Sequence, residues 1–404
     1  WKQCREDLMF AAENLPLSTT KPGRIVRAAA DHLLSEICIS LGDHTKEQKY
    51  YDEAISAAGK VINGTDGDYQ LMKNRFGARA SEAGKDVYWD LFRSGNFNYQ
   101  SGNKEAIWVV QYDYTTAISN TGGMPNNATT NKLLLEFAFQ SSSFFANRQV
   151  KDAAGNNVFF FGEGATKFAD GKSSQTGSDA RGVGAAQNRP TNYFFYDIWE
   201  NNGGDIRNSE ANIERNIKQA GGKPWKDVFD EIKARGDWNK IIPADTIRTI
   251  FPRLWKFSTD KHINGNPEFI DADIYIMRLP ETYLLRAEAY MKKGQQALAM
   301  ADINTVRGRS NARLITAAEV TMDFILDERA RELFGEEYRL VTLTRLSSKE
   351  NPVLVNRVKK YGWKFPDITN DVRPNIQNHQ WVYPIPQSII DANFGATFSQ
   401  NDGY

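Results

Sequence analysis

Residues 283–310, YLLRAEAYMKKGQQALAMADINTVRGRS, hold two helical patterns of small and apolar residues back to back around a Lys-Lys-Gly turn. Alanines recurring at helical spacing on both sides of a tight turn let two antiparallel helices approach closely, so the stretch reads as a helical hairpin. An earlier stretch repeats the plan. IVRAAADHLLSEICISLGD carries Ile25, Ala29, Leu33, Ile37 and Leu41 at near-helical spacing, and Gly42 fits the helix stop. A second helix is predicted from about Lys46 to Ile62, with Tyr50, Ala54, Ala57, Ala58 and Val61 on one face. Glu36 precedes Gly42 by six residues, as Glu288 precedes Gly294, and in each case an Ala-rich helix follows the glycine.

The two hairpins, at 24–63 and 278–310, read as variants of one helix-turn-helix unit of the tetratricopeptide kind. They lie far apart in sequence, so no continuous solenoid is expected. The fold class that follows is mainly α: tetratricopeptide-like hairpins forming a scaffold with long loop-rich insertions, in a single domain over 1–404. Residues 64–277 change character, being rich in Gly, Asn, Ser and aromatic residues. They contain short extended runs, AIWVVQYDY (106–114) and VFFFGEG (158–164), and a polar linker near 169–182. Loops carried on a rigid frame are where binding residues concentrate, so this excursion is the expected ligand-binding part. Residues 318–404 are expected to hold a helix in TMDFILDERARELFG (321–335), then a Pro-containing extended segment, one short helix and an irregular tail.

With 41% hydrophobic residues the chain can bury a large core. Lys+Arg and Asp+Glu are both 50, so no overall field gathers polyanions, and nucleic acid is not an expected partner. No apolar run approaches the roughly 18 residues of a membrane span. Trp1, Cys4, Leu8, Ala12 and Leu15 recur at helical spacing from the first residue, with no initiator Met or capping residue ahead, and an amino-terminal portion is expected to be missing. Two cysteines, Cys4 and Cys38, leave one bridge possible and form no zinc spacing.

Most signatures of chemistry are absent. There is no HExxH; GARASEAGKD (77–86) has the wrong glycine spacing for a phosphate loop, and GVGAAQ (182–187) lacks the third glycine of a dinucleotide turn. No cofactor is expected, and whether a metal such as calcium assists is left open. His32, His44, His262 and His379 share no ligand spacing and read as surface or packing residues. In LDERARELFGEEYR, Glu328, Glu332 and Glu336 are four apart, as a pair of glycosidase carboxylates could be. Arg329, Arg331 and Arg339 are interleaved with them, however, and Asp327 can pair with Arg331, so a paired-charge helix is the expected reading.

Aromatics are the remaining clue: nine Trp, 16 Tyr and 23 Phe make 12% of the chain. A flat ring stacks on the apolar C–H face of a sugar or walls a peptide pocket, while nearby Asn, Asp and Arg supply hydrogen bonds. Ligand-binding residues are nominated among loop aromatics outside the motif blocks: Tyr99, Tyr112, Tyr114, Phe161 and Trp225. Trp89, Trp108, Trp199 and Trp255 lie in or beside the framework patterns and are assigned to the core.

RLPETYLLRAEAYMKKGQQALAMADINTVRGRS (278–310) resembles the best-marked segment of the SusD/RagB family, in which Arg-Leu-x-Glu and Ala-Glu-Ala precede Asn-x-Val-Arg. Further blocks agree in order: ILDERARELFGEEYRLVTLTR (325–345), YPIP (383–386) and QNDGY (400–404), with NRPTNYFFYDIW, DIRNS and FPRLWKF upstream. Pro280 stands where a small apolar residue is usual, Glu337 replaces a second glycine, and Asp402 replaces the proline of the tail. The resemblance implies a non-enzymatic outer-membrane lipoprotein on the cell surface. Such a protein captures oligomeric nutrient, usually glycan and in some members peptide, and hands it to a SusC-like TonB-dependent β-barrel. The signal peptide, lipidated cysteine and a further repeat would precede this chain, and Cys4, inside a helical pattern, is not the lipid-bearing residue. A glycan-active enzyme and a scaffold for protein partners alone are the competing expectations.

Overall fold

The computed structural model describes residues 1–111, 190–215, 234, 252–257, 273–362 and 372–404. They fall into two compact units, Trp1–Arg189 with Ile198–Glu336, and Pro190–Asp197 with Glu337–Tyr404.

The first unit is framed by helices α1 (Lys2–Asn14), α2 (Arg27–Thr45), α3 (Gln48–Ile62), α4 (Leu279–Lys292), α5 (Gln296–Arg309) and α6 (Met322–Leu333). The expected hairpins are α2 with α3 and α4 with α5, and α3 also packs along α4, so the two hairpins are neighbours in space. Alanine is what permits this. Ala54 and Ala57 of α3 meet Leu285 and Ala289 of α4 in one core with Leu34, Cys38 and Ile39 of α2. The other face of α4, Leu284 and Ala287, closes a second core with Ala299 and Ile303 of α5 and Ile325 and Leu333 of α6. α4 is thus buried on two faces, and its charged residues are paired: Glu281 with Arg329, Arg286 with Asp302 and Glu288 with Lys292.

One local expectation is corrected. Gly42 does not stop α2, which runs three residues further and turns at Lys46 in the left-handed region (φ 63°). Gly42 lies inside the helix because a Cβ there would sit 2.6 Å from the Tyr51 ring of α3. Gly294 does occupy its turn, at φ 73°. Thus the two glycines, alike in spacing, do different work.

Strands β1 (Ala106–Val110) and β4 (Ile274–Arg278) pair antiparallel, with register irregularities on either side of Trp108. A second short pair joins β2 (Ile213–Glu214) to β3 (Arg253–Leu254). β4 runs directly into α4, whose Pro280 falls in the first turn, where no helical N–H is lost. Thr321 caps α6, its hydroxyl accepting from the Phe324 N–H at 3.1 Å.

The motif blocks meet in a buried ion network. Glu328 of α6 pairs with Arg207, Arg307 and Arg331 at 2.8, 2.6 and 2.8 Å. Glu332, one turn on, meets Arg207 at 2.9 Å, Arg278 at 2.6 Å, and Arg309. Arg278 also holds Glu105 at 2.7 Å and Glu336 at 2.8 Å. Arg331 therefore pairs with Glu328 at i,i+3, and the paired-charge reading of α6 holds with its charges buried and its partners drawn from distant segments.

The second unit contains α7 (Arg339–Arg345), α8 (Val353–Tyr361) and α9 (Gln387–Asp391). Its YPIP and QNDGY segments bind each other. The Gln400 amide accepts from the Ile385 N–H at 2.7 Å and donates to its carbonyl at 2.8 Å. Asn401 donates to the Tyr383 carbonyl at 2.8 Å, and the Tyr404 hydroxyl to that of Val382 at 2.7 Å. Asp402, the departure from the family pattern, pairs with Lys349 at 3.0 Å.

Candidate functional site: an aromatic cavity beside β1

In the first unit, three connecting segments, residues 17–26, 67–69 and 98–100, and strand β1 surround a cavity of about 250 Å³. Its aromatic walls are Tyr69, Tyr99 and Trp108, and Arg24, Asp68, Asn98 and Gln100 supply charge and amides. Behind the rings lies the core of Val26, Ala29, Val61, Ile107, Met277 and Leu279, which anchors the walls to α2, α3 and the β1–β4 pair.

Tyr99 sits on a single 3₁₀ turn, Tyr99–Ser101. Its ring leans on Tyr69 at 5.3 Å and 58°. The Lys104 ammonium lies 4.2 Å from the ring centroid and donates to the hydroxyl at 2.8 Å. That hydroxyl donates in turn to the Asp68 carbonyl at 3.3 Å. Trp108 is fixed by its indole N–H, which donates to the Gly23 carbonyl at 3.2 Å. Asn98 and Gln111 exchange amide hydrogen bonds of 3.1 and 2.9 Å, while Gln100 donates to the Thr19 carbonyl at 2.9 Å. Hydrogen bonds from Gln70 and Lys104 hold the Asp68 carboxyl below the usual range, so it is an acceptor at neutral pH. A cavity this size, just under the ~300–1,000 Å³ of small-molecule pockets, suits one sugar ring, with flat faces for its C–H groups and polar groups for its hydroxyls.

Of the nominated residues, Tyr99 lines this cavity; Tyr112, Tyr114, Phe161 and Trp225 lie outside the described residues. Trp89, Trp199 and Trp255 are buried as assigned. Trp108 is not. It is half-buried, packs against the core behind the cavity and forms one of the cavity walls, at the register irregularities of β1. Its sequence surroundings, apolar on both sides, hold no signal of this.

Other expectations resolve on geometry. Glu328 and Glu332 cannot act as an acid/base pair. Burial alone would raise Glu328, but Arg207, Arg331 and Arg307 outweigh it and hold the carboxyl at about 2; Glu332 is likewise held well below the usual carboxylate range, against its burial, by Arg309, Arg278 and Arg207. His32 is a satisfied core residue, its Nδ1 2.8 Å from the Thr282 hydroxyl and its Nε2 3.5 Å from Glu281. Cys38 is buried, Cys4 is exposed, and they are not bonded. Among the described residues, no three His, Cys, Asp or Glu are placed to hold a metal, and no helix is long and apolar enough to cross a membrane. The second unit has a broader groove of about 980 Å³, walled by Lys349, Lys359, Trp381 and the 400–403 tail.

Residues 104–404 match the SusD family, and residues 32–60, which hold most of the α2–α3 hairpin, match a tetratricopeptide repeat. The chain belongs to the SusD family. It is 34% identical over 400 residues to the starch-binding protein SusD of Bacteroides thetaiotaomicron, covering 95% of this chain and 61% of that protein. The chain thus spans about three fifths of the length of this curated SusD relative. Solved SusD-like structures share the fold. A laminarin-binding SusD-like protein superposes with a TM-score of 0.57 at 22% identity, covering 99% of this chain and 68% of its own. Surface glycan-binding protein A of Bacteroides thetaiotaomicron, in complex with laminarihexaose, gives 0.57 at 20% identity, covering 98% and 70%. A SusD homologue of the same organism gives 0.61 at 18% identity, covering 99% and 69%. The SusD motif blocks are the residues of the buried ion network and of the tail, so what marks the family is its frame.

Proposed function

We propose that this chain captures an oligosaccharide without turning it over, and that the cavity of Tyr69, Tyr99 and Trp108 holds one of its sugar rings. The whole protein would stand on the outward face of the outer membrane, lipid-anchored, and pass its cargo to a SusC-like TonB-dependent β-barrel. The observation that carries the reading is an aromatic, amide-rimmed cavity set in the frame of a family with a starch-binding and a laminarin-binding member. The saturation of Glu328 and Glu332 by arginine favours binding over hydrolysis, since neither carboxyl can take up a proton near neutral pH.

Calorimetry with maltohexaose, laminarihexaose and a mixed tetrapeptide pool tests this. One class of hexasaccharide is expected to bind and to be recovered intact. Tyr99→Ala should weaken that binding about tenfold, or roughly 1.4 kcal/mol, measured below the lowered melting temperature of the variant. Binding of peptides alone would replace the cargo and keep the transport role; release of shorter sugars would overturn the non-catalytic reading.

A further inference from the structure

Behind the cavity wall lies a pair of carboxyl groups that the network of arginines does not reach. Asp31 of α2 and Asp66, in the turn after α3, are both fully buried. Asp31 Oδ1 accepts from the Lys60 ammonium at 3.0 Å, but its Oδ2 and both oxygens of Asp66 have no donor. An unpaired buried carboxylate is costly, and two facing each other more so. A single proton removes the conflict, because one carboxyl then donates to the other in a charge-assisted O–H···O⁻ bond.

We propose that Asp31 and Asp66 share a proton and act as a pH-operated clasp that fixes the segment after α3, and with it the Asp68–Tyr69 wall of the cavity. Beside the pair, the segment is held by the Thr65 and Asp66 N–H groups donating to the Lys60 carbonyl at 2.9 and 3.2 Å, by the Gln70 N–H donating to the Lys104 carbonyl at 3.1 Å, and by the Tyr69 ring in the core. The groups facing the pair are Lys60 from α3, Arg27 from α2 and the Tyr69 hydroxyl; Asp68 is turned away, toward Gln70 and Lys104. Burial and the facing Asp31 carboxylate push the Asp66 carboxyl up to about 7, against the pull of Lys60 and Arg27. A cation in place of the proton fits poorly, since Lys60 and Arg27 already bring positive charge and only two carboxyls face the gap.

An acid whose pKa is raised on folding stabilises the folded state below its unfolded pKa, and that contribution is lost as pH rises through the folded one. The melting temperature of the wild type, corrected with Asp66→Asn as reference, should therefore fall between about pH 4 and pH 7. In Asp66→Asn, whose amide mimics the protonated carboxyl, that fall is lost. Equal slopes in the two proteins would overturn the clasp. Should the variant fail to fold, the ¹³C carboxyl shift of Asp66 in the wild type decides: a midpoint near neutrality supports the shared proton, and one near the ordinary carboxylate value overturns it. Stabilisation of the wild type by calcium at about pH 8, absent in Asp66→Asn, would overturn it in favour of a cation site.

The effect on ligand rests on the cavity reading above. Whichever hexasaccharide binds should do so more weakly at about pH 8 than at pH 5 in the wild type and equally at both in Asp66→Asn. A pH-dependent melting temperature without any hexasaccharide binding would sink the cavity reading and leave the clasp standing.

Discussion

Glu332 shows what a single residue does in this frame. It is buried on α6 among Arg207, Arg278 and Arg309, each from a different part of the chain, so its removal leaves three buried guanidiniums to share the carboxylates of Asp205, Glu328, Glu105 and Glu336. Breaking a buried ion pair from one side costs about 3–5 kcal/mol, and Glu332→Gln is expected to lose at least that much in urea unfolding. A loss under about 1 kcal/mol would mean that the arginines find other partners or water. Tyr99 is the contrasting case. It stands on a single turn, packed against two core clusters with its hydroxyl and ring face engaged by Lys104, so its substitution should cost some stability and be read in ligand affinity on the folded variant.

At the scale of elements, the two hairpins make the same shape by different means. Gly42 admits the Tyr51 ring into the groove of α2, while Gly294 adopts a left-handed turn with nothing near its Cβ position. Gly42→Ala should therefore force α2 and α3 apart, a strain of about 1–3 kcal/mol, less up to ~1 kcal/mol regained in helix propensity. Gly294→Ala should cost about 1–2 kcal/mol from backbone strain alone. Pairing Gly42→Ala with Tyr51→Leu distinguishes the two: the double variant should recover part of the loss at Gly42, whereas Tyr51→Leu should do nothing for Gly294→Ala. The hairpins themselves were legible from the spacing of Ala29, Ala54, Ala57, Ala287 and Ala299, because helical periodicity is a local property. The different duties of their glycines were not, since Tyr51 reaches Gly42 only once the hairpin has closed.

For the whole molecule, the buried charges set the response to pH. Glu281 and Glu328 are held at about 2; in both, burial opposes the shift, and His32 with Arg329, or the three arginines around Glu328, outweigh it. Acids lowered on folding contribute stability above their unfolded values, near 4.5, and lose it as pH falls through the folded ones. Asp66 works in the opposite sense, losing its contribution as pH climbs toward 7. Between pH 2 and 8 the stability curve should accordingly rise steeply to a maximum at about pH 5 and then decline by the contribution of one proton. Urea midpoints across this range check both limbs; a plateau from pH 5 to 8 would remove the Asp66 limb and leave the acid limb intact.

The sequence by itself determined the helical frame and the family, because both are written in short-range patterns: alanine spacing, a proline in a first helical turn, and blocks such as DIRNS, DERAREL and QNDGY in fixed order. It could not say why those blocks belong together. Arg207, Arg278, Arg307 and Arg309 converge on two glutamates only after segments 21 to 125 residues away have packed, and burial then turns an apparent paired-charge face into an interior network. The cavity was decided by tertiary structure for the same reason. Tyr99 could be nominated from its loop-like surroundings, but Trp108 was legible only as core, since the cavity it walls forms only when residues 17–26, 67–69 and 98–100 come together beside β1. Asp31 and Asp66 carried no signal at all, for two carboxyls become a shared-proton pair only where the fold closes water away from both.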